Sequence, residues 1–384
     1  MKPPRRILFI TEGGLGDQVA LTPALRAAKE SFADSFVAVF ATYRHPTDVE
    51  KAEPFQNLAP SAIERAHTIF STDPNVDELY VLNRYAFRSL TLRARLAAEW
   101  SVVRFLRAKH FDTVISTFPH HERFILWGFL AGARHRVGAR NQGMHWLLTH
   151  APNIEKANRG VVEYYCDLVR AIGGEIRSPR TAFMVPKESL QWADRELRRI
   201  GIQPGGMFVA VHPGASGLYK AWPPERYAAL IASLQRRWQV DVVMAMGEHD
   251  RQIVDAIHMH LETRIGEIDC TASVANLAAV LQRSALCISN DSGPRHLAVA
   301  AGTPSLAFFR RHHDKEWDVY ADVPFCATLK SGEACPACPP EKCYDRIPAG
   351  ELFGAYCVRL IGVEQAVERA DALMQVLLEH QPHG

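Results

Sequence analysis

The stretch from Cys287 to Phe309 reads CISNDSGPRHLAVAAGTPSLAFF, and its pattern decides the fold class. The apolar run Leu286, Cys287, Ile288 ends in polar Ser289, Asn290 and Asp291. Ser292, Gly293 and Pro294 then read as a tight turn, followed by an Ala-rich helical segment from about His296 to Ala301. Gly302, Thr303 and Pro304 stop that helix, and a second apolar run, Leu306 to Phe309, follows. Strand, turn, helix and strand in this order predict one parallel βαβ unit. The turn stands at the carboxyl end of a buried strand and the amino end of a helix, where free backbone N–H groups attract phosphate. Gly293, without a Cβ, lets a ligand approach the backbone. A plain helix-capping role for Asp291 or Ser292 fits the same pattern.

The same logic occurs upstream in MFVAVHPGASGLYKAW, Met207 to Trp222. The β-rich run Phe208 to Val211 opens into His212, Pro213, Gly214, Ala215, Ser216 and Gly217, with Lys220 close behind. A Gly-containing loop after a strand, with one lysine nearby, suits a diphosphate: the loop offers N–H donors and the ammonium a point charge. It is not a P-loop, because GxxxxGK[ST] is absent. A solvated lysine is the alternative reading of Lys220.

At 384 residues the chain is long enough for two ordinary domains. Apolar residues at 47% and charged residues at 22% place it among globular, soluble proteins. A formal charge of +2 gives no electrostatic case for nucleic acid or an anionic membrane as the main partner. MKPPRR leads straight into ILFI, a run too short for a signal peptide or a membrane span. Cys166, Cys270, Cys287 and Cys326 are dispersed singly, so a reducing cytoplasm is the expected setting.

Ile7 to Thr11 is a buried-type strand that opens into Glu12, Gly13, Gly14, Leu15, Gly16 and Asp17. The glycines make a bend from which a carboxylate can project, and GxGxxG is absent. Thr22 and Pro23 read as the cap and first residue of a helix to about Ser31, which places Asp17 before that start, on the loop or its first turn. Further strands are expected at Phe36–Ala41, Val76–Leu82 and Phe111–Thr117, and helices at Leu90–Ala108 and Ile125–Ala131. His120, His121 and Arg123 follow a strand end, where doubly wound folds bind ligands. Alternating strands and helices imply a doubly wound parallel sheet. The domain change is placed near Phe183. Strands Phe208–Val211, Asp241–Ala245, Leu286–Ser289 and Leu306–Phe309 then continue the rhythm. Glu248 and Asp250 follow the second of these and could bond a ribose hydroxyl or simply begin a helix. Arg310, Arg311, His312 and His313 follow the last strand and could meet an anionic substrate. Cys335, Cys338, Cys343 and Cys357 form a CxxC, four residues, Cys, thirteen residues, Cys cluster. Four thiolates can close a tetrahedral structural metal site, with zinc the first choice and iron the rival; free thiols are the alternative.

Three blocks together resemble the ADP-heptose:lipopolysaccharide heptosyltransferases, glycosyltransferase family 9. They are ILFITEGGLGDQVALTPALRAAK, VAVHPGASGLYKAWPPERYAALI and ISNDSGPRHLAVAAGTPSLAFF. The resemblance implies a GT-B fold, two Rossmann-like doubly wound parallel-sheet domains facing across a cleft. Residues 1–182 would form the acceptor-side domain and 183–362 the nucleotide-sugar domain, with a helix in 363–384 crossing back to the first. It implies an inverting, metal-independent transferase with Asp17 as general base and Lys220 balancing the departing diphosphate. His212, Gly214, Ala215, Ser216, Glu248, Asp291, Ser292, Gly293 and His296 would then face the donor. Gly14, Gly16, His120, Arg123 and Arg310 would face the acceptor. The implied partners are ADP-heptose or a similar nucleotide-sugar and a lipopolysaccharide-core or related acceptor, with no nucleic acid and at most peripheral membrane contact. The implied setting is the cytoplasm, at the inner face of the inner membrane. A transferase using another nucleotide-sugar and a non-catalytic sugar-nucleotide-binding subunit are the competing readings. After the last strand the family favours a small Gly/Thr turn, whereas this chain has Arg310-Arg311-His312-His313.

Overall fold

A computed structural model describes residues 3–43, 68–84, 87, 89–117, 122–140, 143–154, 159–203, 205–247, 250–311, 314–332 and 351–379. The chain divides into two units, Met1–Phe183 and Met184–Gly384. Each is built on one wholly parallel sheet.

In the first unit the strands are β1 (Arg6–Thr11), β2 (Phe36–Tyr43), β3 (Glu78–Asn83), β4 (Thr113–Ser116) and β5 (His135–Val137). Their order is β3-β2-β1-β4-β5. The chain winds outward from β1 through β2 to β3, then returns to the other side for β4 and β5. The reversal falls between β1 and β4, and in open α/β sheets ligands bind outside the strand ends at this point. β1 is buried along nearly its whole length, consistent with a central strand covered on both faces. Among the described residues its longer helices are α1 (Leu15–Ser31), α2 (Leu92–Ala108), α3 (Glu122–Leu130) and α4 (Val161–Arg170).

The start of α1 differs from the sequence reading. The helix begins at Leu15 with Gly14 as N-cap, so Asp17 lies in its first turn and Pro23 lies inside it. An interior proline lacks the N–H that would bond the carbonyl four residues back. Here that carbonyl is Val19, and the Thr22 hydroxyl donates to it at 2.8 Å. The same hydroxyl accepts the Ala182 amide at 3.2 Å. Thr22-Pro23 is therefore a self-repairing helix interior, and it pins the segment leading out of the unit. Arg26 assists by donating to the carbonyls of Ser178 and Arg180, each at 2.8 Å.

The second unit contains β6 (Phe208–His212), β7 (Asp241–Met246), β8 (Gly266–Asp269), β9 (Leu286–Asn290), β10 (Ser305–Phe309) and β11 (Cys326–Lys330), ordered β11-β10-β9-β6-β7-β8. Its helices are α5 (Lys187–Arg199), α6 (Pro224–Trp238), α7 (Arg251–His258), α8 (Val274–Arg283), α9 (Gly293–Ala300), the short α10 (Asp314–Trp317), α11 (Tyr356–Arg359) and α12 (Val363–Glu379). The reversal in strand order lies between β6 and β9. The two strands absent from the sequence reading, β8 and β11, are the two edges of this sheet. Each is short and half-polar, GEID and CATLK, and neither carries the apolar run of a central strand.

The strand reversal in this unit is fastened by one side chain. Asn290 is fully buried, its amide donating to the Pro213 carbonyl at 2.5 Å. Its carbonyl oxygen accepts the Trp222 amide at 2.9 Å and the Tyr227 hydroxyl at 3.0 Å. Trp222 stacks on Phe308 of β10 at 4.1 Å between ring centroids, and its indole N–H reaches the Ile361 carbonyl.

The buried residues Ala366, Val367, Ala370 and Met374 of the final helix join the core of the second unit. Asp371 fixes it there by accepting from Arg237 and the Trp238 indole of α6 at 2.7 and 2.6 Å.

Two substitutions test these fastenings. Thr22→Val keeps the shape but strips the Val19 carbonyl of its donor, which costs about 1–3 kcal/mol; urea unfolding should show a lowered midpoint for the first unit. Asn290→Ala leaves buried partners unpaired on three groups and should cost on the order of 3 kcal/mol, read in the same way for the second.

Candidate active site

Four loops of the second unit converge at the carboxyl ends of β6, β7, β9 and β10. The β6 loop begins with His212, whose Nε2 lies 3.2 Å from Asp250 Oδ2. Both side chains are buried, and Asp250 Oδ2 also accepts the Gly247 amide at 2.6 Å. Asp250 thus ties the β7 loop to the β6 loop. Gly214 is required at this crossing: a Cβ there would stand 1.8 Å from Asp250 Oδ1. Of the two acids weighed from the sequence, Asp250 has this structural task, and Glu248 lies outside the described residues. Ala215 and Ser216 form the more open rim of the loop.

Lys220 ends a short 3₁₀ turn, Leu218–Lys220. The loop is held from below, because the amides of Gly354 and Ala355 donate to the carbonyls of Leu218 and Tyr219 at 2.9 and 2.8 Å. Arg310, expected on the acceptor side, belongs to the second unit. It is buried, with its guanidinium 5.1 Å from the centroid of Tyr219. A cation held over an aromatic face is attracted by the ring quadrupole, so Arg310 joins the Lys220 turn to the end of β10.

The β9 loop differs from a tight turn. Gly293 and Pro294 are already the first residues of α9, and Ser292 is its N-cap. Pro at the first turn costs no hydrogen bond. The Ser292 side chain makes no capping bond to the helix, and its hydroxyl leans back toward the Asn290 carbonyl at 3.4 Å. The first-turn amides are therefore not capped by Ser292, the arrangement that favours an anion. Asp291 is buried at the end of β9, with its amide bound to the Phe308 carbonyl at 3.0 Å. His296 is buried behind the helix terminus, its Nδ1 2.9 Å from the Tyr320 hydroxyl. Arg295, which the sequence reading passed over, is fully buried and donates to Asp318 and Thr328 at 2.7 Å each. Together these two residues clamp α9 to the outer part of the sheet. A charged residue inside an otherwise apolar helix was the available signal.

In the first unit the β1 loop presents Asp17. Its Oδ2 accepts the Gly14 amide at 3.1 Å and its Oδ1 lies 3.5 Å from the Tyr165 hydroxyl of α4. Burial, followed by the negative charge of Asp17, holds the Tyr165 phenol well above its ordinary pKa. Tyr165 is thus a neutral donor. Gly13 must lack a side chain, since a Cβ would meet Asp17 Cβ at 2.4 Å. Gly16 lies within the first turn of α1 and is buried, whereas Gly14 is exposed. Beneath the loop, Glu12 is buried and accepts from Thr42 at 2.8 Å and from Arg84 at 2.5 Å. The sequence reading missed this pair, whose members are 72 residues apart.

Arg123 is on the first turn of α3 and pairs with Glu99 of α2 at 3.0 Å. This ion pair gives the side chain a packing role between helices. His120 lies outside the described residues, as do Cys335, Cys338 and Cys343. Cys357 is buried in the apolar core of the second unit. Among the described residues no group of three His, Cys, Asp or Glu side chains could hold a metal. Burial raises the thiols of Cys166 and Cys287 to about 12, which keeps them protonated and unreactive. A cavity of about 610 Å³ in the first unit contains none of these candidates. Its Asp167 is already matched by Arg159 and Arg170.

These loops can be set beside known proteins. A model described as glycosyltransferase family 9 (heptosyltransferase) matches residues 99–341. Lipopolysaccharide heptosyltransferase 3 of Escherichia coli is 24% identical over 302 residues, which is 77% of this chain and 80% of that protein. The solved glycosyl transferase family 9 protein of Veillonella parvula DSM 2008 has a TM-score of 0.73 at 20% identity, covering 98% of each chain. E. coli heptosyltransferase WaaC, solved with ADP, has a TM-score of 0.67 at 15% identity, covering 96% of this chain and 99% of that one. The structural likenesses and the two parallel sheets establish the GT-B, Rossmann-like fold. The family match spans more than half of the sequence, and the chain belongs to glycosyltransferase family 9, the heptosyltransferases.

Proposed function

We propose that this protein transfers heptose from ADP-heptose to a hydroxyl of a lipopolysaccharide-core or related acceptor, with inversion at the anomeric carbon. The observation that carries this reading is the convergence at the β6/β9 strand reversal. There the His212–Gly214 loop, the Lys220 turn and the amino end of α9 stand together in a unit of a family 9 chain. Backbone donors and one ammonium suit a diphosphate, and the WaaC relative was solved with ADP.

In the proposed reaction Asp17 accepts the proton of the acceptor hydroxyl as its oxygen bonds to the anomeric carbon. The bond from that carbon to the β-phosphate oxygen breaks, and ADP leaves with the electron pair. Lys220 and the first-turn amides of α9 balance the charge that develops on the diphosphate. Asp17 suits its role because Gly14 and Tyr165 orient the carboxylate. No step calls for a metal. The first unit would serve the acceptor and the second the donor, at the inner face of the inner membrane. Among the described residues no helix is long and apolar enough to cross a membrane. The cluster Cys335, Cys338, Cys343 and Cys357 is proposed as a structural zinc or iron site.

ADP release from ADP-heptose, assayed with lipopolysaccharide-core acceptors, tests the reaction. Asp17→Ala should lower turnover by about 10²–10⁴-fold while ADP still raises the melting temperature. Unchanged turnover in that variant removes Asp17 from its role. Lys220→Met should weaken the stabilisation by ADP and lower turnover together. A melting-temperature panel of ADP, UDP and GDP separates donors, and a response to UDP or GDP alone overturns the assignment of ADP-heptose.

A further inference from the structure

The near-zero net charge conceals a split between the units. The first carries 24 Lys and Arg against 18 Asp and Glu, and the second 20 against 24. The excess is concentrated: between Ser101 and His150 there are seven Lys and Arg and two Asp and Glu. The helix that leads into this stretch, α2, also exposes large apolar side chains. Leu92, Leu96 and Trp100 of α2 are 72%, 61% and 45% exposed.

These properties fall on one face. At about 100° per residue, Leu96, Arg107, Trp100, Arg93 and Arg104 lie within an arc of roughly 80° on α2. The opposite side of the helix holds the buried residues Ala98, Val102 and Leu106. The only acid of α2, Glu99, turns toward α3, accepting the Trp127 indole N–H at 2.8 Å and pairing with Arg123 at 3.0 Å. The exposed arc therefore mixes arginine with Leu and Trp and contains no carboxylate.

The surface extends beyond α2. Arg107 lies 5.6 Å from the centroid of Trp100 and donates to the Leu130 carbonyl at the end of α3. Phe129, beside it, is 44% exposed and lies under Arg136. Arg136 in turn donates to the Leu147 carbonyl, next to Trp146, which is 73% exposed. Guanidinium and aromatic groups alternate along this path.

We propose that this face docks the protein on an anionic phospholipid surface. Tryptophan is amphipathic and favours the headgroup level of a bilayer. Arginines beside apolar residues on a surface helix satisfy the two requirements of interfacial binding, apolar insertion and attraction to anionic lipid. A second copy of the chain fits poorly, because two such faces would set arginines against arginines. The charge of the face, not of the whole chain, sets this attraction, which is why the overall value of +2 pointed away from a membrane. The inference does not depend on which sugar is transferred.

The test is co-sedimentation of the full-length protein with vesicles of phosphatidylcholine containing phosphatidylglycerol, against vesicles of phosphatidylcholine alone. Wild type should pellet with the anionic vesicles and lose most of its binding at high salt. Each cation near such a surface strengthens attachment roughly fivefold, so Arg93→Gln/Arg104→Gln should weaken partitioning about twenty-five-fold. Leu96→Ser/Trp100→Ser should also release the protein, through lost insertion. The rise in melting temperature caused by ADP should be unchanged in both variants, since neither pair touches the transfer machinery. Absence of wild-type binding, equal binding to neutral vesicles, or retention by both variants overturns the proposal. Loss in Leu96→Ser/Trp100→Ser of a concentration-dependent self-association, seen by sedimentation velocity, also overturns it and assigns the face to a second copy.

Discussion

The second unit depends on a single carboxamide. In a doubly wound sheet the strands on either side of the reversal lead their loops away in opposite directions, which opens the crevice where ligands bind. That crevice is also where backbone groups lose their sheet partners. Asn290 resolves this conflict by bonding Pro213 on one side and Trp222 and Tyr227 on the other. Asparagine suits the task because its amide offers donors and an acceptor with no charge to neutralise. An aspartate would place a buried negative charge against the Pro213 carbonyl. The loops are thus fixed relative to one another before any substrate arrives, as preorganised electrostatic stabilisation requires.

Buried polar links of the same kind recur beneath the loops of each unit. Asp250 holds two loops together, Arg295 anchors the helix whose amino end faces the crevice, and Glu12 with Arg84 supports the bend that carries Asp17. A buried ion pair adds little net stability when complete, but losing one partner is severe. Such residues specify one loop geometry more than they add to folding free energy. The glycines are the complement of these links: Gly13 and Gly214 are needed because the carboxylates of Asp17 and Asp250 come too close for any Cβ.

Much of the fold was legible because central parallel strands are apolar runs and loops at their carboxyl ends are polar and Gly-rich. ILFIT, FVAVH and LCISN announce themselves in this way. The edge strands GEID and CATLK do not, since half of each faces less apolar surroundings. Thr22-Pro23 misled because a cap and a repaired helix interior use the same two residue types; only the Val19 carbonyl three residues back distinguishes them. Asn290 and Asp291 were visible as a polar end to a strand. The partners that give Asn290 its task lie 63 to 77 residues away, and no local pattern encodes that distance.

The backbone beneath Lys220 has a consequence for how the chain can be cut. Gly354 and Ala355 supply the amides on which the Leu218–Lys220 turn rests, and Ile361 receives the indole of Trp222. The last thirty-odd residues are therefore a foundation for a loop some 130 positions earlier. A shortened protein ending before residue 351 would keep every residue assigned to the crevice and still lose the shelf that holds its lysine.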